Sequence, residues 1–434
     1  MSPGLEREST DLPSPIDLPP RYAVEGLTPT EEGLRPVRIG VDRESGLFVE
    51  PEGLELQPLV PDSCWLLPGF LDLHVHCRDD PSGAEHHKED YTTASAAALH
   101  GGVVAVADMP NNPAPPVDPE SYARKQALVA ERASIEVVVY GAVSRVAGAF
   151  RRGIPWKCYF GPSVGELHDA EGVGELLAGF RGEWVAFHAE DPEILEASRG
   201  AAEHEDRRPP EAERVAVARI LELARQHGFR PHIAHLSTAG GLAEIEAARS
   251  AGLPVTCEVA PHHLFFDREN RGGTSHSGWL QMNPPLRTPE DRRALIEGLR
   301  RGAIDIIATD HAPHSIEENE RGISGVPLLD TFAPFLGWLA EEEGFDWAVL
   351  VERAARRPAE IFRDFLPARY GALEVGCSAG FVVLDPESPW TVRNGDIRSR
   401  AGWSPFEGHT FPVSVVGTAV GGEFRMFGVR DREA

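Results

Sequence analysis

The stretch "PGFLDLHVHCRDD", Pro68 to Asp80, runs as an apolar strand and then sets two imidazoles and a guanidinium at alternate positions. Side chains of a strand alternate between its faces. His74, His76 and Arg78 therefore share one face, and Asp72 joins them if the strand stays regular. Such a face can serve a metal ion and an anion together. A polar strand end that happens to carry histidines has the same local pattern, and only the rest of the chain separates the two.

Within this stretch, "GFLDLHVH" (69–76) is the first of eight short apolar, β-branched runs. The others are "GVVAVADMP" (102–110), "SIEVVVYGA" (134–142), "IPWKCYFGP" (154–162), "EWVAFHAED" (183–191), "RPHIAHLST" (230–238), "PVTCEVAPHH" (254–263) and "IDIIATDHAPH" (304–314). Helix-like segments separate most of them, among them "YTTASAAALHG" (91–101), "EAERVAVARILELARQHG" (211–228) and "TPEDRRALIEGLRRG" (288–302). Near-continuous apolar runs alternating with amphipathic helices read as parallel strands covered by helices. Eight such units specify an α/β fold of the (β/α)8 TIM-barrel type over residues 67–371 more naturally than an open sheet. The flanks differ. Residues 31–66 and 372–434 carry short strands with Gly and Pro turns, and the two ends are expected to pair as one small β-sandwich domain. The first 30 residues, rich in Pro, Glu and Ser, read as a disordered extension.

Composition narrows the function. The chain has 434 residues, a hydrophobic fraction of 41% and a formal net charge of -26. That charge argues against nucleic acid and anionic membranes as main partners, and fits a solvated acidic surface. The five cysteines are scattered and odd in number, which points to reduced thiols. The N-terminus lacks a basic-then-apolar signal pattern, and no apolar run reaches membrane-spanning length. A cytoplasmic protein is expected.

Several other units also end in residues fit to bind a metal. The fourth run carries Lys157, the fifth ends at His188, the sixth at His235 and the eighth at Asp310. Barrels of this type gather their sites at the C-terminal ends of the strands. His74, His76, His188, His235 and Asp310 thus converge on one volume, and imidazole with carboxylate suits Zn²⁺ or a related divalent ion.

The motifs "HVHCR", "DMPNNP", "KCYFGPSVGEL", "FHAED", "IAHLST", "MNPPLR", "ATDHAPH" and "SGVPLLDTF", in this order, resemble the cyclic amidohydrolases and among them the dihydroorotase family. The likeness spans roughly residues 60–425, closing with "SPFEGHTFPVSVVGTAVGG" (404–422). It implies two divalent ions, Zn²⁺ being expected, with His74, His76 and Asp310 on one and His188 and His235 on the other. An ammonium cannot ligate a metal, so the resemblance implies that Lys157 is carboxylated (N6-carboxylysine) and bridges both. Some relatives use an Asp there; Asp169 is near but falls in a loop-like segment.

Water held between two dications has a depressed pKa and delivers hydroxide at neutral pH. Asp310 is then the general acid and base of the reversible closure of N-carbamoyl-L-aspartate to dihydroorotate, a step of pyrimidine biosynthesis. Arg78 offers a planar donor to the substrate carboxylate. The family pattern adds Asn111 and His314 at that carboxylate and Asn283 at the ring edge, with the main chain of Gly322 to Gly325 beside the substrate. Asn111 and Asn283, flanked by prolines, also read as turn formers. His311 is read as structural, and His262 and His263 receive no role at the metals.

The sequence departs from the family at Cys77 and in "DDPSGAEHHKED" (79–90), where His86 and His87 are expected to be exposed. The alternatives are a hydantoinase- or allantoinase-like cyclic amidase, and a non-catalytic scaffold subunit. Arg78 and Asn111 disfavour the first, and the full ligand set disfavours the second. A homo-oligomer is expected, with an aspartate transcarbamoylase as a candidate partner.

Overall fold

In a computed structural model, residues 12–144, 153–160, 172–271 and 279–427 are described. The expectation for residues 1–11, and Asp169, lie outside them.

Four strands precede the barrel: β1 Arg21–Thr30, β2 Gly33–Asp42, β3 Leu47–Val49 and β4 Trp65–Pro68. The expected disordered extension is therefore too long. Arg21–Thr30 pairs antiparallel with β2 from Arg21↔Asp42 to Thr30↔Gly33, and it buries Tyr22, Ala23 and Val24. Burial of such side chains outweighs the polar, proline-rich composition that suggested disorder, a fully buried valine such as Val24 contributing about 1.5–3 kcal/mol.

The next strands follow the eight apolar runs: β5 Phe70–Val75, β6 Val103–Asp108, β7 Glu136–Val139, β8 Gly141–Ala142, β9 Trp156–Phe160, β10 Trp184–Ala189, β11 Arg230–Ile233, β12 Thr256–Val259 and β13 Ile306–Ile307. β7 and β8 are two pieces of one run. The first pairs with β6 and the second with β9, so the three-stranded and six-stranded parallel sheets join through Tyr140. The ring closes between the first and last runs. Val75 bridges His311, the His76 amide donates to the His311 carbonyl at 2.8 Å, and the Thr309 amide donates to Asp72 Oδ1 at 3.0 Å. A floor of side chains fills the barrel below the site, with Trp184 against Tyr140, His232 and Phe362 at ring distances of 6.0, 4.9 and 5.1 Å.

Helices cover the outside and are capped by their own sequence. Asp90 caps Tyr91–His100 and Asp118 caps Pro119–Arg132, both through reciprocal capping boxes. Pro210–His227 stops at Gly228, whose φ of +77° a side chain would resist.

After the barrel come β14 Phe381–Asp385, β15 Trp390–Thr391, β16 Thr410–Phe411, β17 Ser414–Val420 and β18 Glu423–Met426. Both ends of the chain meet in one seven-stranded sheet among the described residues, ordered β18-β17-β14-β4-β1-β2-β3. The seam is the antiparallel pair β14 and β4, and Phe381 stacks there between Phe48 and Phe424 at 6.5 and 5.7 Å. We propose the expected domain boundaries with one change, that β1 joins the β-rich domain. No helix among the described residues is long and apolar enough to cross a membrane.

Candidate metal centre and active site

The strand ends open into a cavity of ≈ 560 Å³, within the range for small-molecule sites. Its walls include His74, His76, Arg78, Asn111, Lys157, His188, His235, Asn283, Asp310 and His314. The structure thus brings together every site residue expected from the sequence.

Simple strand alternation does not deliver all of them. β5 stops at Val75, and its pairing with β6 slips between Asp72 and Val75. Such a bulge re-aims side chains. Asp72 spends its carboxylate on Thr309 and on the His74 amide, and burial pushes its pKa up to about 7. Arg78 lies beyond the strand at φ +54°. Among the described residues, the non-glycine positions with positive φ are Arg78, His235 and Asp310, all in this cavity wall. A left-handed backbone on such residues costs energy and persists where the surroundings impose it, most often at functional sites.

Three of the histidines, His74, His76 and His188, are oriented by acceptors behind them. His74 Nδ1 donates to Glu258 Oε1, His76 Nδ1 to Asn111 Oδ1 at 2.7 Å, and His188 Nε2 to Glu190 Oε2 at 2.9 Å. Each bond places the proton on the outer nitrogen and leaves the inner lone pair facing the cavity. His74 Nε2 and His76 Nε2 each lie 3.2 Å from Asp310 Oδ1, and donor atoms of these three residues fall within 4.8 Å of one another. His188 Nδ1 faces His235 Nε2 at 3.0 Å. The two groups adjoin, the rings of His74 and His235 being 5.1 Å apart. Burial, with neighbouring positive charge, lowers His74 to about 4 and pushes His76, His188 and His235 down. Neutral imidazoles with lone pairs turned inward are what a cation requires.

Lys157 lies among them on β9, fully buried, and Nζ has no hydrogen-bond partner. Burial lowers its pKa to about 8, against the opposing pull of Glu258 and Asp310. An unpartnered buried amine beside converging imidazoles and a carboxylate fits a site for divalent ions, and the donor set passes on chemistry as well as position.

The anion side is equally defined. Arg78 Nη2 donates to His314 Nε2 at 3.1 Å, while Arg78 Nε has no partner. Asn111 spends its carbonyl on His76, which ties the anion side to the metal side. Glu85 and Lys88 bond each other at 2.7 Å in the same wall.

Some expectations change. His87 is exposed, but His86 is half-buried and bonds Asp79 at 2.7 Å. His311 accepts the Leu328 amide at 3.0 Å and meets Glu89 at 3.2 Å, in keeping with a structural place. Sequence reasoning missed Glu190 and Glu258. Both are carboxylates next to candidate ligand motifs in apolar runs, and that was the available signal.

A closed parallel barrel with this donor cluster at its C-terminal mouth defines the amidohydrolase class, and residues 170–425 match the Amidohydrolase family. Residues 64–149 match the Dihydro-orotase-like family. The chain is a hydrolase acting on cyclic amides, and it belongs to the dihydroorotase family. It is 34% identical over 399 residues to a dihydroorotase of Archaeoglobus fulgidus, covering 87% of this chain and 92% of that one. It is 36% identical over 382 residues to a dihydroorotase of Listeria welshimeri, covering 82% and 87%. Among solved structures, L-hydantoinase (dihydropyrimidinase) from Arthrobacter aurescens superposes with a TM-score of 0.82 at 25% identity, covering 93% and 95%.

Proposed function

We propose that this chain interconverts N-carbamoyl-L-aspartate and (S)-dihydroorotate, as a dihydroorotase of pyrimidine biosynthesis. The observation that carries this is a buried arginine beside the donor cluster, with Arg78 and His314 paired in the cavity that holds His74, His76 and Asp310. A cyclic amidase whose ring lacks a carboxylate has no need of that guanidinium.

His74, His76 and Asp310 would hold one divalent ion, His188 and His235 a second, and a carboxylated Lys157 would join them. Zn²⁺ is the ion we expect. When bound, the ions supply Lewis acidity and an activated water. Arg78 and His314 receive the substrate carboxylate, and the Asn111 amide group adds a donor. Asn283 and the main chain from Gly322 to Gly325 flank the ring. Asp310 takes a proton from water and returns it to the departing ring nitrogen. We further propose a cytoplasmic homo-oligomer, with an aspartate transcarbamoylase as candidate partner.

Purified protein given Zn²⁺ and bicarbonate should interconvert the two compounds. Lys157→Ala should lose most activity, and Arg78→Met should raise KM by about 10² or more, the loss of a charge-assisted bidentate contact. Turnover of hydantoin or allantoin without turnover of dihydroorotate would overturn the proposal.

A further inference from the structure

His262 is fully buried at the start of the short helix Pro261–Phe265, just past the end of β12. Neither of its ring nitrogens has a hydrogen-bond partner, yet the ring lines the catalytic cavity. Its neighbour His263 differs, for its Nε2 donates to the Pro284 carbonyl at 3.0 Å. The two rings meet edge to face at 4.2 Å, which fixes the plane of His262. Asn283, in the same wall, also has a buried Oδ1 without a partner. Buried polar atoms are paired in nearly all native structures, and each unpaired one needs an explanation. Here two such side chains face one cavity.

The chemistry of this corner differs from that of the anion side. Arg78 is a cation suited to a carboxylate, whereas His262 and Asn283 are neutral. A neutral imidazole offers one N–H and one lone pair, and Asn283 Oδ1 offers a further acceptor. The non-reacting edge of a ureide ring presents the complement, a carbonyl oxygen beside an N–H.

We propose that His262 is a substrate-recognition residue that, with Asn283, reads the ureide edge of the ring, the imidazole N–H donating to the ureide carbonyl and Asn283 Oδ1 accepting the ring N–H. This rests on the dihydroorotase proposal and adds a second recognition point besides the carboxylate. It separates ureides from plain cyclic imides and lactams, which lack one or both of these groups.

The test uses the full-length, metal-loaded protein. His262→Phe keeps the ring volume and removes both polar atoms, while His262→Gln keeps a donor and an acceptor. Metal content per chain, KM and kcat for dihydroorotate are measured for each. His262→Phe should raise KM about tenfold or more with metal content unchanged, the loss expected when a buried partner is left unpaired. His262→Gln should recover most of that loss. An unchanged KM in His262→Phe would overturn the assignment, as would lost metal in both variants, which would make His262 a ligand. Equal damage from Gln and Phe would also overturn it, leaving only a space-filling role. If His262→Phe does not fold, His262→Leu and Asn283→Ala take its place, and an unchanged KM in either sinks the proposal. Wild-type turnover is measured first. An inactive wild type brings down the dihydroorotase proposal itself, whereas an active wild type with an indifferent His262 brings down only this one.

Discussion

Glu258 does more than any single ligand to shape the metal side. Its carboxylate takes the Nδ1–H of His74, the Nε2–H of His232 at 2.9 Å and the His235 amide at 3.1 Å. Burial disfavours its charge, but His74 and His232 outweigh that and hold the pKa below the usual carboxylate range. Glu258→Gln would present an N–H₂ where an acceptor is needed, turning His74 toward the tautomer whose proton faces the metal cluster. Metal affinity should fall about 10–100-fold, the usual cost of losing such an outer partner, while the fold survives. Competition against a chelator measures this, and wild-type affinity in the variant would show that His74 is oriented by something else. Sequence reasoning missed Glu258, although it stands as a lone carboxylate in "TCEVAPHH" and a charge inside a parallel strand needs a partner. The sequence did not show which histidine that partner was, because the pairing spans 184 residues.

At the scale of elements, the eight apolar runs were legible because buried parallel strands leave a strong compositional trace. The bulge in β5 and the split of the third run into β7 and β8 left none. They arise from register against neighbours, which periodicity cannot contain. A buried strut shows how elements then hold the anion side. Lys125, on the helix Pro119–Arg132, sends its ammonium into the barrel wall, 2.8 Å from Asp108 Oδ2 at the end of β6. It also donates to the Met109 carbonyl at 3.3 Å and to Asn112, on either side of Asn111. Asp108 in turn accepts the Tyr91 hydroxyl at 2.7 Å and the Cys77 amide, next to Arg78, at 2.9 Å. Both substrate-facing segments therefore hang on one ion pair. Lys125→Met strands a buried carboxylate and should cost about 3–5 kcal/mol. Adding Asp108→Asn removes that charge and should recover part of the loss, a coupling of sites in contact. Denaturant melts of the two single variants and the double variant measure it. Strict additivity would mean that the pair is not the strut described here.

At the scale of the whole molecule, the C-terminal segment returns across the barrel mouth before it enters β17. Ser399 and the Arg400 amide both bond Glu89, the amide at 3.1 Å, and Glu89 meets His311 on the last barrel run. The Arg400 guanidinium reaches the His86 carbonyl at 2.6 Å and Asp90, clasping the loop that follows Arg78. Trp403, fully buried, donates Nε1–H to the His314 carbonyl at 2.8 Å. This strap touches the loops of both anion-binding side chains. None of it was legible in the sequence, where "IRSRAGW" (397–403) is an unremarked loop more than 300 residues from the loop that it clasps. Its position predicts a separation of effects. Trp403→Phe keeps the bulk but leaves the His314 carbonyl without its donor, and Arg400→Ala releases the loop after Arg78. Each should raise KM for dihydroorotate about tenfold, the scale on which small misplacements of a binding group are felt. Metal content should match wild type, because the ligands hang on the strands rather than on the strap. If metal is lost along with affinity, the strap supports the barrel as a whole. If KM stays at the wild-type value in both variants, the clasp does not set Arg78 and His314, and the barrel loops hold the anion side unaided.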